Sequence, residues 1–497
     1  MQSSRRDFLK LAGAALAGSA LMTHWAQAVA AAQGSSVYEG VPDPALHLLN
    51  RVTYAPRPED VARIRQIGAD AWLEAQLAPE TIDDLAGDEV MRHLPILSMD
   101  RRTVHRLGFD GRVHNALTQG MILRAVHSER QLYERMVEFW TDHFNVPADE
   151  LAHDLVIMHR EVIRRHALGN FRDLVLGTAQ SPAMLTYLDQ AYSSKEHPNE
   201  NYARELMELH TLGVAGGYTE ADVQAAARAL TGWTIHNGTA SGFYFDPEMH
   251  DTDPKTLLGH QMPADRGIED GLHLISLLVN HPSTARFICR KLCVRFVSDT
   301  PPDSLIESSA RIWRETRGAI VPVLRHILTS PEFYASAGQK LRRPLDFFIG
   351  VLRITGTRYL NEWLMQEHLA DLAQPPYGWN PPNGYPDAAG AWLSSNGLLA
   401  RWNVAMSLTH AAWSEPDSGM ATRLDRLIDS PETVGELVAQ AAQRVFGAAA
   451  APSALTPYID FVSDGGGEQQ SVTPALLSNK LGMLFGMLFA SPQYQWR

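Results

Sequence analysis

Glu205 and Glu208 stand three residues apart in Asn199-Glu200-Asn201-Tyr202-Ala203-Arg204-Glu205-Leu206-Met207-Glu208-Leu209-His210-Thr211-Leu212-Gly213. On a helix that spacing lets both carboxylates reach one metal ion or share a proton. At about 100° per residue, Asn201, Arg204, Glu205 and Glu208 form one stripe, and Tyr202, Leu206 and Leu209 form an adjoining apolar one that should face a core. The predicted catalytic set is therefore Glu205, Glu208 and Arg204. Arg204 can equally neutralise the acids, and a solvated Arg/Glu face is the competing reading, since charged side chains are mostly exposed. His210 falls beyond the apolar stripe and is expected to pack, and Gly213 suits the left-handed residue after a helix end.

Two other stretches offer ligand-type side chains. In Glu138-Phe139-Trp140-Thr141-Asp142-His143-Phe144, His143 projects with Met136 and Phe139, where a hydrogen-bonded core histidine competes with a ligand. Asp246-Pro247-Glu248-Met249-His250-Asp251-Thr252-Asp253-Pro254-Lys255 places His250 among acids on a proline-stiffened loop, either a binding loop or a surface acidic loop. A divalent metal ion held by Glu205, Glu208, His143 and His250 is the cofactor these residues suggest, with the metal unspecified. A separate ligand surface is expected at 374–387, where Tyr377, Trp379, Asn380 and Asn383, with Trp392 nearby, combine aromatic and amide chemistry suited to sugar rings or extended peptides; a loop pinned by its aromatics is the alternative. Arg286, Arg290, Lys291 and Arg295 read as a solvated helix face or an anion site.

Well-marked cofactor motifs are absent: there is no C-x-x-C-H, cysteine cluster, H-E-x-x-H, G-x-S-x-G or phosphate loop. The formal charge of −13 argues against a nucleic-acid partner, which needs a dense basic face. The two cysteines, Cys289 and Cys293, lie one helical turn apart, which predicts buried thiols without a disulfide.

These side chains must be positioned by helices. Apolar periodicity predicts a mostly α protein, a large multi-helix domain over 43–497 with a small β-hairpin inserted at about 234–259 around Asn237-Gly238. The spacing of Met121, Ile122, Val126, Leu132, Met136, Phe139 and Trp140 predicts one long central helix over 115–144. Ile327-Leu328-Thr329-Ser330-Pro331-Glu332-Phe333 echoes Leu488-Phe489-Ala490-Ser491-Pro492-Gln493-Tyr494, which predicts a repeated device at helix ends.

Residues 1–32 read as a signal peptide. Ser4-Arg5-Arg6-Asp7-Phe8-Leu9-Lys10 resembles the twin-arginine export signal at every position of its S-R-R-x-F-L-K pattern. A short Ala/Gly-rich apolar run follows, and Ala26-Gln27-Ala28 offers a cleavage site. The expectation is a periplasmic or secreted protein handled by the twin-arginine translocase, with no transmembrane segment in the mature chain.

Asn201 to Trp233 (NYARELMELHTLGVAGGYTEADVQAAARALTGW), His250-Asp251 with Lys255 to Gly259, His281 to Asp299, Lys340 to Asp346 and Pro375 to Trp402 together resemble the bacterial family catalogued as domain of unknown function 1800, from about Asp43 onward. The resemblance implies an exported bacterial protein, often encoded beside a second exported family, domain of unknown function 1501, which is the expected partner. It brings no established activity. Two functions stay open: a metal- or carboxylate-dependent envelope enzyme, hydrolytic or oxidative, and a non-catalytic glycan- or protein-binding assembly factor.

Overall fold

Apolar residues at helical spacing account for most of the elements. The computed structural model describes residues 43–108, 111–236, 242–359, 362–410 and 420–497. The signal segment 1–32 and the Asn237-Gly238 turn lie outside the described residues. The chain is mostly α-helical, with three small two-stranded antiparallel sheets among the described residues, as the periodicity predicts. Within the 43–497 span expected as one domain, contacts divide the chain into two compact units.

The first unit holds the chain up to Ala69, Tyr334–Gln374 and Asp387–Arg497. Its helices start on local devices: Asp43 accepts from Ala45 N at 2.9 Å ahead of Pro44–Val52, and Thr433 with Glu436 forms a capping box ahead of Val434–Phe446. Helices Ser395–His410 and Pro474–Ala490 pack closely because Gly486 leaves room, a Cβ there falling 2.5 Å from the Met406 sulfur. The buried guanidinium of Arg401 donates to Arg342 O at 2.8 Å and to Gln495 Oε1 at 2.7 Å.

The second unit, Asp70–Phe333 with Pro375–Pro386, carries every site residue singled out above except Trp392, which is buried in the first unit. The long helix expected over 115–144 is two helices, Arg112–His127 and Gln131–His143. Their apolar spacing runs through the break, so periodicity alone does not reveal it. Asp84 stabilises the break from a distance: its carboxylate accepts from Ser128 Oγ at 2.7 Å and from Glu129 N at 2.8 Å. Gln131 Nε2 adds bonds to Ala125 O and Ser128 O, satisfying carbonyls at the first helix's end.

The hairpin insertion is present and larger than predicted. Strand Trp233–Ile235 pairs with Phe243–Phe245, and a second hairpin pairs Lys255–Leu257 with His260–Met262. Fully buried Trp233 and the intermediate Phe243 meet edge to face at 5.1 Å. The echoed Ser-Pro segments also perform one job: Ser330 Oγ accepts from Phe333 N at 3.1 Å and Ser491 Oγ from Tyr494 N at 3.2 Å, each capping a one-turn helix.

Candidate acid and aromatic-loop site

The glutamate segment begins as the α-helix Glu200–Glu205, capped by Asn199 accepting from Tyr202 N at 2.9 Å. It then widens into a π-helical turn over Leu206–Thr211, in which Leu212 N reaches back five residues to Met207 O at 2.7 Å. The Thr211 hydroxyl stabilises the wider turn by donating to Leu206 O at 2.7 Å. Such turns are rare and often mark functional positions. This one alters the phase predicted for a regular α-helix: Tyr202, Leu206, Met207 and His210 are buried, whereas Leu209 is only partly so. His210 packs as expected, and Gly213 takes φ +79° at the helix end.

Arg204 does not lie across the two acids. It forms a bidentate pair with Glu220 at 2.8 and 2.7 Å, partly exposed. Glu208 accepts a hydrogen bond from the Tyr218 hydroxyl at 3.3 Å. Glu205 is half-buried; that burial, with Glu208 next to it, holds its carboxyl above the usual range, and Arg204 only partly opposes this. The phenol of Tyr187, at the end of helix Pro182–Tyr187, is pushed up to about 12 by burial and by Glu205. Tyr187 thus lies in the field of Glu205.

Tyr187 also connects to the proline-rich loop, donating its hydroxyl to Asn380 O. Asn145 Nδ2 holds the same loop through Trp379 O at 2.7 Å and Pro381 O at 2.8 Å. Trp379 donates from Nε1 to Asn383 Oδ1 at 2.8 Å and meets Tyr385 at 4.9 Å between ring centroids. Gly384 permits the loop's approach: it has φ +70°, and a Cβ there would stand 2.0 Å from Asp142 O. Trp379 is partly exposed and Asn380 and Asn383 are exposed, whereas Tyr377 is buried and belongs to the loop's anchor.

The four side chains expected to share a metal ion are not brought together. Among the described residues, no three His, Cys, Asp or Glu side chains are arranged to hold one. Both His143 ring nitrogens have partners: Nε2–H donates to His210 O at 3.0 Å, and Nδ1 accepts from Lys291 Nζ at 2.8 Å. Burial, Lys291 and His210 hold its pKa well below the ordinary value, so it is a neutral core histidine. His250, 2 % exposed, donates from Nδ1 to Thr231 O at 2.8 Å, and its Nε2 stands 3.5 Å from Asp270. Asp270 also receives Lys255 Nζ at 2.8 Å, while Asp251 pairs with Arg228 at 2.7 Å. The acidic loop is thereby folded onto its own cations.

The basic series also departs from a solvated face. Arg286 pairs with Asp303 and Glu307, and Arg290 is exposed, but Lys291 turns to His143 and buried Arg295 meets Glu138 at 2.5 Å. Cys289 and Cys293 are free and buried, as expected. Sequence reasoning missed Tyr187 and Tyr218, since an isolated tyrosine at a helix end has no periodic or motif signal.

These elements define a mostly α-helical protein in which Tyr187, bonded to an aromatic, amide-bearing loop, lies in the field of Glu205. The chain belongs to the family described as protein of unknown function, DUF1800, whose model matches residues 47–496. No curated protein and no solved structure matches it. No helix among the described residues is long and apolar enough to cross a membrane.

Proposed function

We propose that this chain is exported through the twin-arginine route and acts in the cell envelope on a hydroxyl-rich ligand of the glycan class. In this reading Glu205 moves a proton to or from the bound ligand, and Trp379, Asn380 and Asn383 hold it. One observation carries the reading: Tyr187 is bonded to Asn380 O and lies in the field of Glu205, which relates the acid to the loop. A half-buried carboxyl whose pKa is raised by its burial and by Glu208 suits proton transfer with a bound ligand. The partly exposed Trp379 ring offers the flat apolar face that sugar rings stack on. Glu208, oriented by Tyr218, supplies the second carboxylate.

The test is depolymerisation of envelope polysaccharide by the purified chain. Wild type should release reducing ends and Glu205→Gln should not; equal release from both would reject the acid role. Export is tested by fractionating cells that carry Arg5→Lys with Arg6→Lys, which should retain the protein in the cytoplasm.

A second reading, assembly with an exported partner such as a protein of the domain of unknown function 1501 family, is favoured by Tyr192 and Val214, 74 % and 76 % exposed before and after the glutamate segment. Co-purification that is lost on Trp379→Ala, without glycan turnover by wild type, would favour it over the enzyme.

A further inference from the structure

Apart from the carboxylate site, the second unit contains a small cavity whose lining includes Phe144, Leu155, Met158, His159 and Tyr377. Its volume is about 10 Å³, about what the centre of one water-sized occupant needs. The lining is mainly apolar, yet two buried polar atoms there have no protein partner: His159 Nε2 and the Tyr377 hydroxyl. Their residues are 8 % and 4 % exposed, and the rings meet edge to face at 6.0 Å. Leaving two such groups unmatched is costly, so an occupant that accepts from both is favoured.

The surrounding groups select the kind of occupant. Arg164 is matched by Glu134 through bonds of 2.8 and 2.6 Å. Arg124 lies in the field of that same pair. Both arginines also act on His159, which burial and their charge hold well below its ordinary pKa, and on Tyr377, where the carboxylates of Glu134 and Asp142 act against them. A neutral imidazole with its proton on Nε2 and a phenol are both donors. Two unmatched donors around room for one atom suit an anion better than a cation, and a monatomic anion better than an oxyanion.

We propose that this cavity is a binding site for one small monovalent anion of the halide class, held by His159 Nε2–H and the Tyr377 hydroxyl. The site is independent of the role assigned to Glu205. It anchors the start of the aromatic loop, because the Tyr377 carbonyl already accepts from Ala148 N at 2.9 Å and Tyr377 is held at φ +59°.

The experiment uses the whole purified chain, with thermal unfolding followed in sodium chloride, sodium bromide and sodium gluconate at matched ionic strength. Halide should raise the wild-type melting temperature above that in gluconate by about 2 °C or more. Tyr377→Phe, which keeps the ring and removes the donor, should lose most of that difference. An identical wild-type response to halide and gluconate, or an undiminished halide shift in Tyr377→Phe, overturns the proposal. Should Tyr377→Phe fail to fold, anomalous diffraction from wild-type crystals grown in bromide decides: a peak between His159 and Tyr377 supports the site, and its absence leaves a water there and ends the proposal.

Discussion

The hydroxyl of Tyr187 donates to the backbone carbonyl of Asn380, 193 residues away in sequence. Tyr187→Phe keeps the ring and deletes this bond. The expected cost is about 1 kcal/mol of stability, together with weaker ligand retention as the loop loosens. Denaturant midpoints and retention on envelope polysaccharide check both; unchanged retention would separate the loop's position from this tyrosine.

Glu205 makes the protein's stability depend on pH with a definite sign. Its pKa is raised in the folded chain, so the folded state binds more protons than the unfolded one between the ordinary glutamate value and the raised one, and stability falls as pH rises through that window. Glu205→Gln removes the penalty. It should be slightly more stable than wild type at pH 7, by less than about 1 kcal/mol because the carboxyl is partly solvated, and the difference should vanish below about pH 4. Paired melting curves across pH measure it. A residue that lowers stability at its working pH fits a functional role better than a structural one.

Buried histidines act in the opposite direction. His143 and His159 are held well below the ordinary value, and His210 is held down to about 3 by burial and by Lys291. Each is protonated in the unfolded chain before the folded one, so stability is full above about pH 6.5 and is lost as pH falls below it, at about 1.4 kcal/mol per pH unit per histidine. His210→Met removes one such group whose Nε2 has no hydrogen-bond partner. Its melting temperature should therefore fall less steeply than that of wild type between pH 6.5 and 5; parallel slopes would contradict the assignment.

The broken central helix depends on Asp84. Asp84→Ala removes the acceptor of the Ser128 hydroxyl and Glu129 N and should cost about 1 kcal/mol or more, read as a shift in denaturant midpoint. Asp84→Asn, which keeps one acceptor, should recover part of it.

The parts of this arrangement that were legible in the sequence are those encoded locally. The hairpin at about 234–259 shows in its change of period, and the left-handed end at Gly213 in the glycine itself. The break at Ser128–Arg130 was not legible, because the residue that stabilises it lies 44 positions upstream. The π-turn at Leu206–Thr211 was hidden for a related reason, since an α-helical wheel assumes the phase that the turn changes. The aromatic loop was singled out by composition, but its relation to Glu205 depends on Tyr187. His143 and His250 looked like ligands because histidine type does not reveal partners: Lys291 and Asp270, each far along the chain, turn them into core and loop supports.

Substrate dependence in Glu205→Gln and Trp379→Ala, compared with wild type on the same envelope polysaccharide, tests the central claim most directly. The account predicts a split: Glu205→Gln retains the polysaccharide with near wild-type affinity and loses turnover by about 100-fold or more, whereas Trp379→Ala loses affinity first. Wild-type turnover and affinity in both variants would contradict it.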